Sequence, residues 1–378
     1  MAEKKQINRR EFLESCGILT GAAIISGATP FAASSLPAKD EKHRVEARWY
    51  EKQPHKKVKC KLCPRECVVD DRERGYCGVR ENWNGVYYTL VHSRPCTYHI
   101  DPIEKKPLFH FLPGTIAYSL ATVGCNVDCK FCQNWQISQI RPEQVDNLNL
   151  PPEKVVREAR RAGAPTIAYT YTEPVIFSEY MLDTAAAGRK AGVKSVMISN
   201  GYIQAEPMTD LCQVLDAVKI DLKAITEKFY REVVAGELKP VLDTLVLLRK
   251  LKMWTEIVYL VVPTLNDSDA EFRNLARWIR TNLGKDVPLH FSRFYPQYKL
   301  QNLPPTPVKT LERAHDICQA EGLHYVYIGN VPGHRAESTY CPYCSEVLIR
   351  RRGYLILENR IVDGKCPNCQ ATIPGIWH

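Results

Sequence analysis

Cysteines form three tight groups in this sequence, and their spacing is suited to binding metals. The chain has 378 residues and 15 cysteines. The groups are Cys125, Cys129 and Cys132; Cys60, Cys63, Cys67 and Cys77; and Cys341, Cys344, Cys366 and Cys369. A C-x-x-C pair places two sulfurs on one short loop, where both can reach the same metal. Disulfides are the alternative, but disulfide frameworks are typical of small exported domains, and this chain can bury a large core.

The first group has the spacing C-x-x-x-C-x-x-C, which puts three thiolates on a single loop. Thiolates are the usual ligands of iron–sulfur clusters. Three ligands for a cluster of four irons leave one iron open, and an open iron can bind a substrate or cofactor through an amine and a carboxylate. A closed site of four cysteines would only carry electrons. A zinc knuckle is the alternative interpretation of this triplet.

The other two groups each contain four cysteines. The set from Cys60 to Cys77 predicts either a tetrahedral zinc site or an auxiliary iron–sulfur cluster, and the residues do not choose between them. Such a site would also stabilise a segment too small to fold around its own core. The C-terminal set consists of two Cys-Pro-x-Cys pairs with 21 residues between the inner cysteines. With hairpin-like segments at 347–351 and 354–358, it predicts a rubredoxin-like structural zinc ribbon.

Composition excludes some classes of partner. The net charge is +9, spread along the chain, and no basic run or arginine–aromatic repeat of an RNA-binding module is present. We therefore expect no nucleic-acid partner, although zinc ribbons in general can bind nucleic acids. The chain is 45% hydrophobic and 25% charged, which is typical of a globular protein.

The elements that must position these cysteines alternate between short β-rich runs and longer helical patterns. Strands are predicted at 116–122, 166–171, 194–199, 217–222, 255–262, 289–293 and 325–328. Helices are predicted at 152–162, 175–191, 238–252, 269–283 and 307–321. This alternation indicates a parallel sheet, which is either an open doubly wound sheet or a barrel.

Polar residues that follow successive strands favour the barrel. Cys125, Glu173 and Asn200 come after the first three predicted strands, and Asp221 and Lys223 lie at the fourth. Asn266 and Arg293 continue the pattern. A closed or nearly closed sheet directs all of these strand ends to one place. We therefore predict an α/β fold, a partial (β/α) barrel of the TIM type, with a cysteine-rich segment before it and a zinc-ribbon-like module after it.

The predicted domain organisation begins with a leader. Residues 8–13 read Asn-Arg-Arg-Glu-Phe-Leu and precede a modest apolar stretch at 17–33, as in a twin-arginine signal that exports folded proteins. We expect folding in the cytoplasm, export to the periplasm or outer face, and no stable membrane span. A disordered basic leader is the alternative. The predicted boundaries are 1–38 for the leader, 39–57 for a linker, 58–114 for the cysteine-rich segment, 115–335 for the barrel and 336–378 for the ribbon.

The first cysteine group and its surroundings resemble the radical S-adenosylmethionine superfamily. The signature of that superfamily is this cysteine spacing with an aromatic residue before the last cysteine, here Phe131. Within it, the sequence is similar to the pyruvate formate-lyase activating enzymes, and especially to the radical enzyme of the AmmeMemoRadiSam system. The matching stretches are 101–114, Gly-Cys-Asn ahead of Cys129, and residues 132–135, 171–174 and 199–202.

The resemblance implies an oxidoreductase of activating-enzyme type. Its cofactors would be a 4Fe-4S cluster on Cys125, Cys129 and Cys132 and S-adenosylmethionine, which one electron splits into methionine and a 5′-deoxyadenosyl radical that abstracts hydrogen. The substrate would be a protein glycyl residue or a small molecule or peptide. Implied partners are an electron donor such as flavodoxin or ferredoxin, and Memo-like and AmmeCR-like proteins.

The resemblance also implies site residues, at the positions that match the motifs of the family. Glu173, with its backbone, would bind the methionyl amino group, although relatives have Gly-Gly-Glu-Pro where this chain has Tyr-Thr-Glu-Pro at 171–174. Asn200 and Gly201 stand where relatives contact the ribose or the methionyl carboxylate, and Phe131 lies beside the cofactor. Asp221 and Lys223 resemble an Asp-x-Lys that relatives direct into the active site.

Each of these residues could instead cap a strand or form a salt bridge in the barrel. Arg293 and His290 are weaker candidates. Residues 101–114, with Lys105, Lys106 and His110, could reach over the mouth of the site or form a buried ion-pair belt.

The residues alone are also compatible with two other classes of function. A non-catalytic iron–sulfur electron carrier would need a fourth ligand for the first cluster, and Cys96 is the candidate. A zinc-ribbon protein that binds nucleic acid is a further alternative.

Overall fold

Strands with few polar side chains form the centre of the protein. We describe residues 44–378 from a computed structural model. The predicted leader at 1–38 lies outside the described residues. An eight-stranded sheet contains the strands β7 (Thr97–Pro102), β8 (Ile116–Ala121), β9 (Thr166–Tyr169), β10 (Lys194–Ser199), β11 (Ala217–Asp221), β12 (Trp254–Val261), β13 (Leu289–Arg293) and β14 (Val326–Gly329). Strands β8 to β14 are parallel.

The order of these strands distinguishes a barrel from a doubly wound sheet. Neighbours in the sheet follow the order of the chain from β7 to β14, without the reversal that defines a doubly wound sheet. Because parallel crossovers are right-handed, an unreversed order places the connecting helices on one face and curves the sheet around its other face. In the described chain β14 and β7 are the two edges of the sheet and do not pair with each other. The predicted partial (β/α) barrel is confirmed.

Helices lie between the strands close to the predicted positions. They are α1 (Trp135–Ser138), α2 (Pro152–Arg161), α3 (Ser178–Lys190), α4 (Ala205–Cys212), α5 (Glu227–Phe229), α6 (Leu238–Lys250), α7 (Asp269–Asn282) and α8 (Val308–Ala320). A π-helical turn, Tyr230–Val234, follows α5, and 3-10 turns lie at Pro54–Lys56, Ile103–Lys105, Pro142–Gln144, Pro174–Phe177 and Arg335–Glu337. No described helix is long and apolar enough to cross a membrane.

Strand β7 is an addition to the predicted sheet. It pairs antiparallel with β8, from Thr97 opposite Ala121 to Pro102 opposite Ile116, and so forms a hairpin at the edge of the barrel. Most of its side chains are exposed or half-buried, and it ends in proline. The apolar signal by which buried strands are predicted is therefore weak here, since an edge strand tolerates polar residues and proline.

Three small sheets complete the described chain. Their strands are β1 (Val45–Glu46), β2 (Tyr50–Lys52), β3 (Val58–Cys60), β4 (Val68–Val69), β5 (Arg80–Trp83), β6 (Val86–Thr89), β15 (Thr339–Tyr340), β16 (Val347–Arg352) and β17 (Leu355–Asn359). The sheet orders are β1-β6-β5, β2-β3-β4 and β15-β16-β17. The expectation of a linker at 39–57 differs from this structure, because β1 and β2 lie within it. Trp49 is also buried and donates its indole N–H to Asp210, 3.0 Å away.

The C-terminal sheet packs against the end of the barrel at which the strands begin. Phe109, Tyr325, Tyr327, Leu348 and Ile349 share one buried apolar cluster. Among them runs a polar network in which Glu256 accepts hydrogen bonds from the backbone N–H groups of residues 109 and 110 (2.9 and 2.8 Å) and pairs with His290 at 2.8 Å. Residues 109 and 110 therefore lie at the opposite end of the barrel from its carboxyl strand ends, and His290 is part of the same structural network.

His110 makes stability depend on pH. Its Nδ1–H donates to the Pro374 carbonyl (2.7 Å) and its Nε2 accepts from the Tyr327 hydroxyl (2.6 Å), so the buried ring is neutral. Burial lowers the pKa of His110 to about 4, although Glu256 opposes that shift. The unfolded chain takes up a proton below its ordinary pKa near 6.5 and the folded chain does not, so stability falls as pH drops from about 6.5 to 4.

We expect this side chain to contribute about 3 kcal/mol to that loss. The measurement compares urea unfolding of the wild type with that of His110→Gln at pH 7 and pH 4. The free-energy difference between the two proteins should shrink by about 3 kcal/mol at the lower pH. An unchanged difference would show that His110 is protonated in the folded state.

Candidate active site

The loop with the first cysteine group directly follows β8 and is fixed at its start by Gly124. This glycine has φ of 97°, in the left-handed region that favours glycine. A Cβ at this position would lie 2.7 Å from Cγ1 of Val79 and 2.8 Å from the Cys77 carbonyl oxygen. Gly124 therefore allows the close approach of the cysteine-rich segment to the loop.

Hydrogen bonds hold the rest of this loop. The Cys132 N–H donates to the Cys129 carbonyl at 3.0 Å, and the Cys132 Sγ lies 3.2 Å from the Ser138 hydroxyl. The backbone N–H groups of Asp128 and Lys130 donate to the carbonyls of Val234 and Val233, at 3.1 and 2.9 Å. The loop is thus anchored to the π-helical turn as well as to α1.

The three thiols influence one another electrostatically. Burial raises the pKa of Cys129 to about 12, where Lys223 opposes the shift and Cys132 adds to it. Burial also raises the pKa of Cys125 well above its usual value, and Glu173, Cys129 and Cys132 contribute. These thiols need a bound cation to become thiolates, because burial disfavours the charged form.

The donor set suits a cluster better than a single ion. Within residues 44–378, Cys341, Cys344, Cys366 and Cys369 form the one group of three or more candidate ligand atoms that all lie within 4.8 Å of one another. Zinc–sulfur bonds of about 2.3 Å place tetrahedral sulfurs about 3.8 Å apart. Cys125, Cys129 and Cys132 lie on one loop but do not all converge within 4.8 Å, so they are more widely spaced than that group, as ligands of a larger metal cluster must be. The residues present therefore fit a cluster.

Glu173 lies after β9, and both of its carboxylate oxygens accept hydrogen bonds. Its oxygens accept hydrogen bonds from the Ser199 hydroxyl (2.6 Å), the Asn200 N–H (2.8 Å) and the Val175 N–H (3.1 Å). Burial raises the pKa of Glu173 to about 7, and these donors, with Lys223, oppose that shift. The carboxylate therefore lies between the ends of β9 and β10, near Cys125.

Asn200 extends this connection to the cysteine loop. Its side-chain amide donates to Oδ1 of Asn126 at 2.9 Å, and Asn126 in turn donates to the Tyr202 carbonyl at 2.7 Å. Gly201 follows with φ of 73°, where a Cβ would lie 3.1 Å from Ile220. Asn126 belongs to the Gly-Cys-Asn stretch that resembles the relatives, but it is not among the predicted site residues. Its position between two cysteines of the triad was the available signal.

The turn before Glu173 has a backbone conformation that favours glycine, although its residue is a tyrosine. Tyr171 has φ of 65°, a conformation that is rare for a bulky residue. Its carbonyl accepts a hydrogen bond from the Asn134 side chain at 2.6 Å, and its ring hydroxyl donates to Asp101. These contacts hold the tyrosine where the relatives have glycine, so the turn that carries Glu173 is still tightly folded.

Asp221 and Lys223 are brought together at the end of β11, with a third partner. Asp221 pairs with Lys223 at 3.0 Å and with Lys219. Burial alone would raise the pKa of Asp221, but the two lysines outweigh it and lower that pKa to about 2. Lys219 was not predicted as a site residue, because its alternating position on a strand resembles that of any surface lysine.

Phe131 lies beside this charged group. Its ring is 6.1 Å from that of Phe229, and the Lys223 ammonium lies 5.9 Å from its centroid. Lys223 also donates its backbone N–H to the Tyr230 hydroxyl at 3.1 Å. The aromatic residue of the cysteine motif therefore packs between the cysteine loop and the charges of β11.

The remaining candidates have structural partners. Asn266 donates to the carbonyls of Lys223 and Leu260, both at 2.9 Å, so it closes the loop after β12. Arg293 donates to the Thr306 carbonyl at 2.8 Å and to the Tyr295 hydroxyl at 3.2 Å. Lys105 and Lys106 both pair with Asp101, at 2.8 and 2.5 Å. These two lysines form the ion-pair belt that sequence reasoning gave as one alternative for this segment.

Cys96 is bonded to the end of β8 rather than to the triad. Its thiol contacts the Ala121 carbonyl at 3.5 Å, and burial raises its pKa to about 11 without a charged neighbour. We expect Cys96→Ala to assemble the same amount of cluster as the wild type, measured as iron and sulfide per chain after anaerobic reconstitution. Loss of the cluster in this variant would restore the hypothesis of a closed electron carrier.

The C-terminal cysteines converge as ligands of one small metal ion do. The sulfurs of Cys341 and Cys369 are 3.5 Å apart, and those of Cys344 and Cys366 are 3.7 Å apart. Both distances are near the spacing of about 3.8 Å expected around tetrahedral zinc. This group could hold a metal, in a module resembling a zinc ribbon.

Comparison with known proteins decides the family. The model of the Radical SAM superfamily matches residues 119–278, which include the cysteine triad, Glu173, Asn200 and the charges of β11. The chain belongs to the radical SAM superfamily. Radical SAM proteins are enzymes, and membership implies a 4Fe-4S cluster and S-adenosylmethionine as cofactors, so this chain is an enzyme of radical chemistry.

Its relatives within the family leave the substrate open. The chain is 49% identical over 306 residues to the uncharacterized protein MJ0808 of Methanocaldococcus jannaschii, covering 81% of this chain and 91% of that protein. It is 24% identical over 287 residues to the uncharacterized protein MJ0674 of the same organism, covering 71% and 76%. A radical SAM methyltransferase structure from Sphaerobacter thermophilus matches with a TM-score of 0.47 at 17% identity, covering 63% of this chain and 71% of that one.

Proposed function

We propose that this chain is an activating-enzyme-like radical SAM oxidoreductase that abstracts hydrogen from a protein or small-molecule substrate. When bound, the cluster and S-adenosylmethionine supply the reductive cleavage that generates a 5′-deoxyadenosyl radical. The observation that supports the proposal is the connection of three widely spaced thiols to a buried carboxylate, through Asn126 and Asn200. In this arrangement the cysteine loop would hold its metal beside a carboxylate that could bind an amine.

Different residues of the chain would bind the cofactor and orient the substrate. In its ionised form Glu173 would accept the methionyl ammonium, and its protein donors hold the carboxylate in place for that contact. Asn200, Gly201 and Phe131 would line the cofactor. Asp221 and Lys223, ion-paired at 3.0 Å, would orient the substrate with a charge of each sign. The barrel wall would exclude water from the reacting atoms.

Substrate access would be from the carboxyl ends of the strands. Trp135, directly after the cysteine motif, is partly exposed and stacks on Tyr298 at 5.3 Å. Lys299 next to it pairs with Asp128 of the cysteine loop at 2.6 Å. This aromatic pair would offer a flat apolar surface to a substrate at the edge of the site.

The proposal extends to partners and location. The electron donor would be a flavodoxin or ferredoxin, and the Memo-like and AmmeCR-like proteins of the AmmeMemoRadiSam system would be partners. Zinc would occupy the C-terminal cysteines as a structural ion. The twin-arginine leader would send the folded protein to the periplasm or outer face, which cell fractionation and sequencing of the mature N-terminus would test.

Anaerobic reconstitution tests the enzymatic proposal. Protein loaded with iron and sulfide is mixed with dithionite and S-adenosylmethionine, and 5′-deoxyadenosine is measured. We expect this product from the wild type, and a KM for S-adenosylmethionine that is raised roughly 10- to 100-fold in Glu173→Gln, because charge-assisted hydrogen bonds contribute about 1.5–3 kcal/mol. A fully loaded wild-type cluster that forms no 5′-deoxyadenosine would refute the proposed chemistry.

A further inference from the structure

The cysteine-rich segment brings four thiols from two turns to one buried place. Cys60 ends β3, and its N–H donates to the Cys67 carbonyl at 2.9 Å, so Cys60 and Cys67 lie side by side at the base of a short loop. Cys63 lies in that loop, where its carbonyl accepts from the Glu66 N–H at 3.1 Å. Cys77 comes from the following turn, in which the Gly78 N–H donates to Gly75 at 2.9 Å.

This second turn is held against the first. The Tyr76 N–H donates to the Cys67 sulfur at 3.5 Å, as backbone amides do toward metal-bound thiolates. A Cβ on Gly75 would lie 3.8 Å from the same sulfur and 2.6 Å from the Tyr87 hydroxyl. Glycine at position 75 therefore lets the turn with Cys77 approach the turn with Cys67 closely.

The four sulfurs of this segment, like those of the radical SAM triad, are less closely gathered than the C-terminal four. All four cysteines pack into the main hydrophobic core, where Cys60 and Cys63 are buried and Cys67 and Cys77 are partly buried. Yet in residues 44–378 no three of them converge within 4.8 Å, whereas the C-terminal four do. A cubane cluster is larger than a single zinc ion and holds its cysteine sulfurs farther apart. The same chain thus contains a zinc-like spacing and two wider ones.

A buried cation with an unpaired donor lies next to the second turn. Arg80 is almost completely buried and pairs with Glu179, yet its Nε–H has no hydrogen-bond partner in the described chain. Arg80 adjoins the second turn, because the Gly75 N–H donates to the Arg80 carbonyl at 3.1 Å. An unpaired donor and a positive charge beside four thiols suit a ligand of negative charge with sulfur acceptors.

We propose that Cys60, Cys63, Cys67 and Cys77 hold a second 4Fe-4S cluster, closed by four thiolates and distinct from the radical SAM cluster. This inference goes beyond the proposed function and does not depend on it. The site touches the first cysteine loop directly, because the Cys77 carbonyl packs against Gly124, and Arg65 beside Cys63 donates to the Asn126 carbonyl. With all four irons ligated by protein, this cluster has no place for S-adenosylmethionine.

The test removes the first cluster and asks what remains. The full-length variant Cys125→Ala/Cys129→Ala/Cys132→Ala is reconstituted anaerobically, and iron, sulfide and zinc are measured. We expect about four iron and four sulfide per chain. After reduction we expect a paramagnetic resonance signal that does not change when S-adenosylmethionine is added. Adding Cys63→Ala should remove this iron, and adding Cys212→Ala, a cysteine on α4, should leave it.

The iron content of the wild type is a second test, which does not depend on the folding of the triple variant. It should contain about eight iron per chain, and Cys63→Ala alone should reduce this to about four. A wild type with about four iron, or a folded triple variant whose N-terminal cysteines hold zinc, would overturn the proposal. A residual signal that shifts on adding S-adenosylmethionine would also overturn it, because the cluster would then have an open iron.

Discussion

Replacing Cys129 with alanine should reduce formation of 5′-deoxyadenosine to background. Cys129 is the buried member of the triad, and its backbone carbonyl holds Cys132 at 3.0 Å. Replacing a residue that only hydrogen-bonds to a metal ligand typically costs roughly 10- to 100-fold, and loss of a direct ligand should cost at least about 100-fold. The measurement is the initial rate of 5′-deoxyadenosine formation with dithionite, after anaerobic reconstitution.

A matched cysteine separates this effect from general damage. Cys318 is also buried, and its thiol contacts the Phe272 carbonyl at 3.6 Å, far along the chain from any cysteine group. Cys318→Ala should keep its cluster content and its rate, apart from a modest loss of stability. If Cys129→Ala retained a wild-type rate, the triad would not be the cluster ligand set.

Glu179→Gln should lower the free energy of unfolding by about 3–5 kcal/mol, because it leaves a buried arginine without its counter-charge. Glu179 on α3 accepts from Arg80 at 3.0 Å and also from the Arg48 N–H at 3.0 Å. Both side chains of the ion pair are 1% exposed. The pair joins the cysteine-rich segment to the barrel, so the loss should appear in urea unfolding as a lower midpoint.

Two variants show whether the charge is responsible. In Arg80→Met/Glu179→Leu both charges are removed, and we expect much of the stability to return, since apolar replacements of buried ion pairs are often neutral. Asp243→Asn breaks the exposed pair with Lys239 and should change stability little. A Glu179→Gln variant as stable as the wild type would show that water or a bound group compensates Arg80.

The barrel could be predicted from the sequence because its strands are apolar on both faces. Strand β10 was predicted at 194–199 and is Lys194–Ser199, with five of its six residues buried. The signal is strong since parallel strands contact the helices on one side and the barrel interior on the other. Helix positions agree within a few residues because their apolar period is equally clear.

Other features depend on contacts that no local pattern reveals. The edge strand β7 and the strands at 45–52 have few buried residues, so their sequence resembles a loop. The bonds from Asn126 to residues 200 and 202 and the pairing of Lys219 with Asp221 depend on which strands become neighbours. Resemblance supplied Glu173 and Asn200 as candidates, but their mutual hydrogen bond appears only in the folded chain.

The chain of hydrogen bonds from Glu173 through Asn200 to Asn126 has a consequence for how substitutions combine. Three loops share these atoms, so changing any member displaces the partners of the other two. Double substitutions at positions 126 and 173 should therefore show strong epistasis, with a combined effect smaller than the sum of the single effects. Redesign of the proposed cofactor pocket would therefore have to exchange the carboxylate and both amides at the same time.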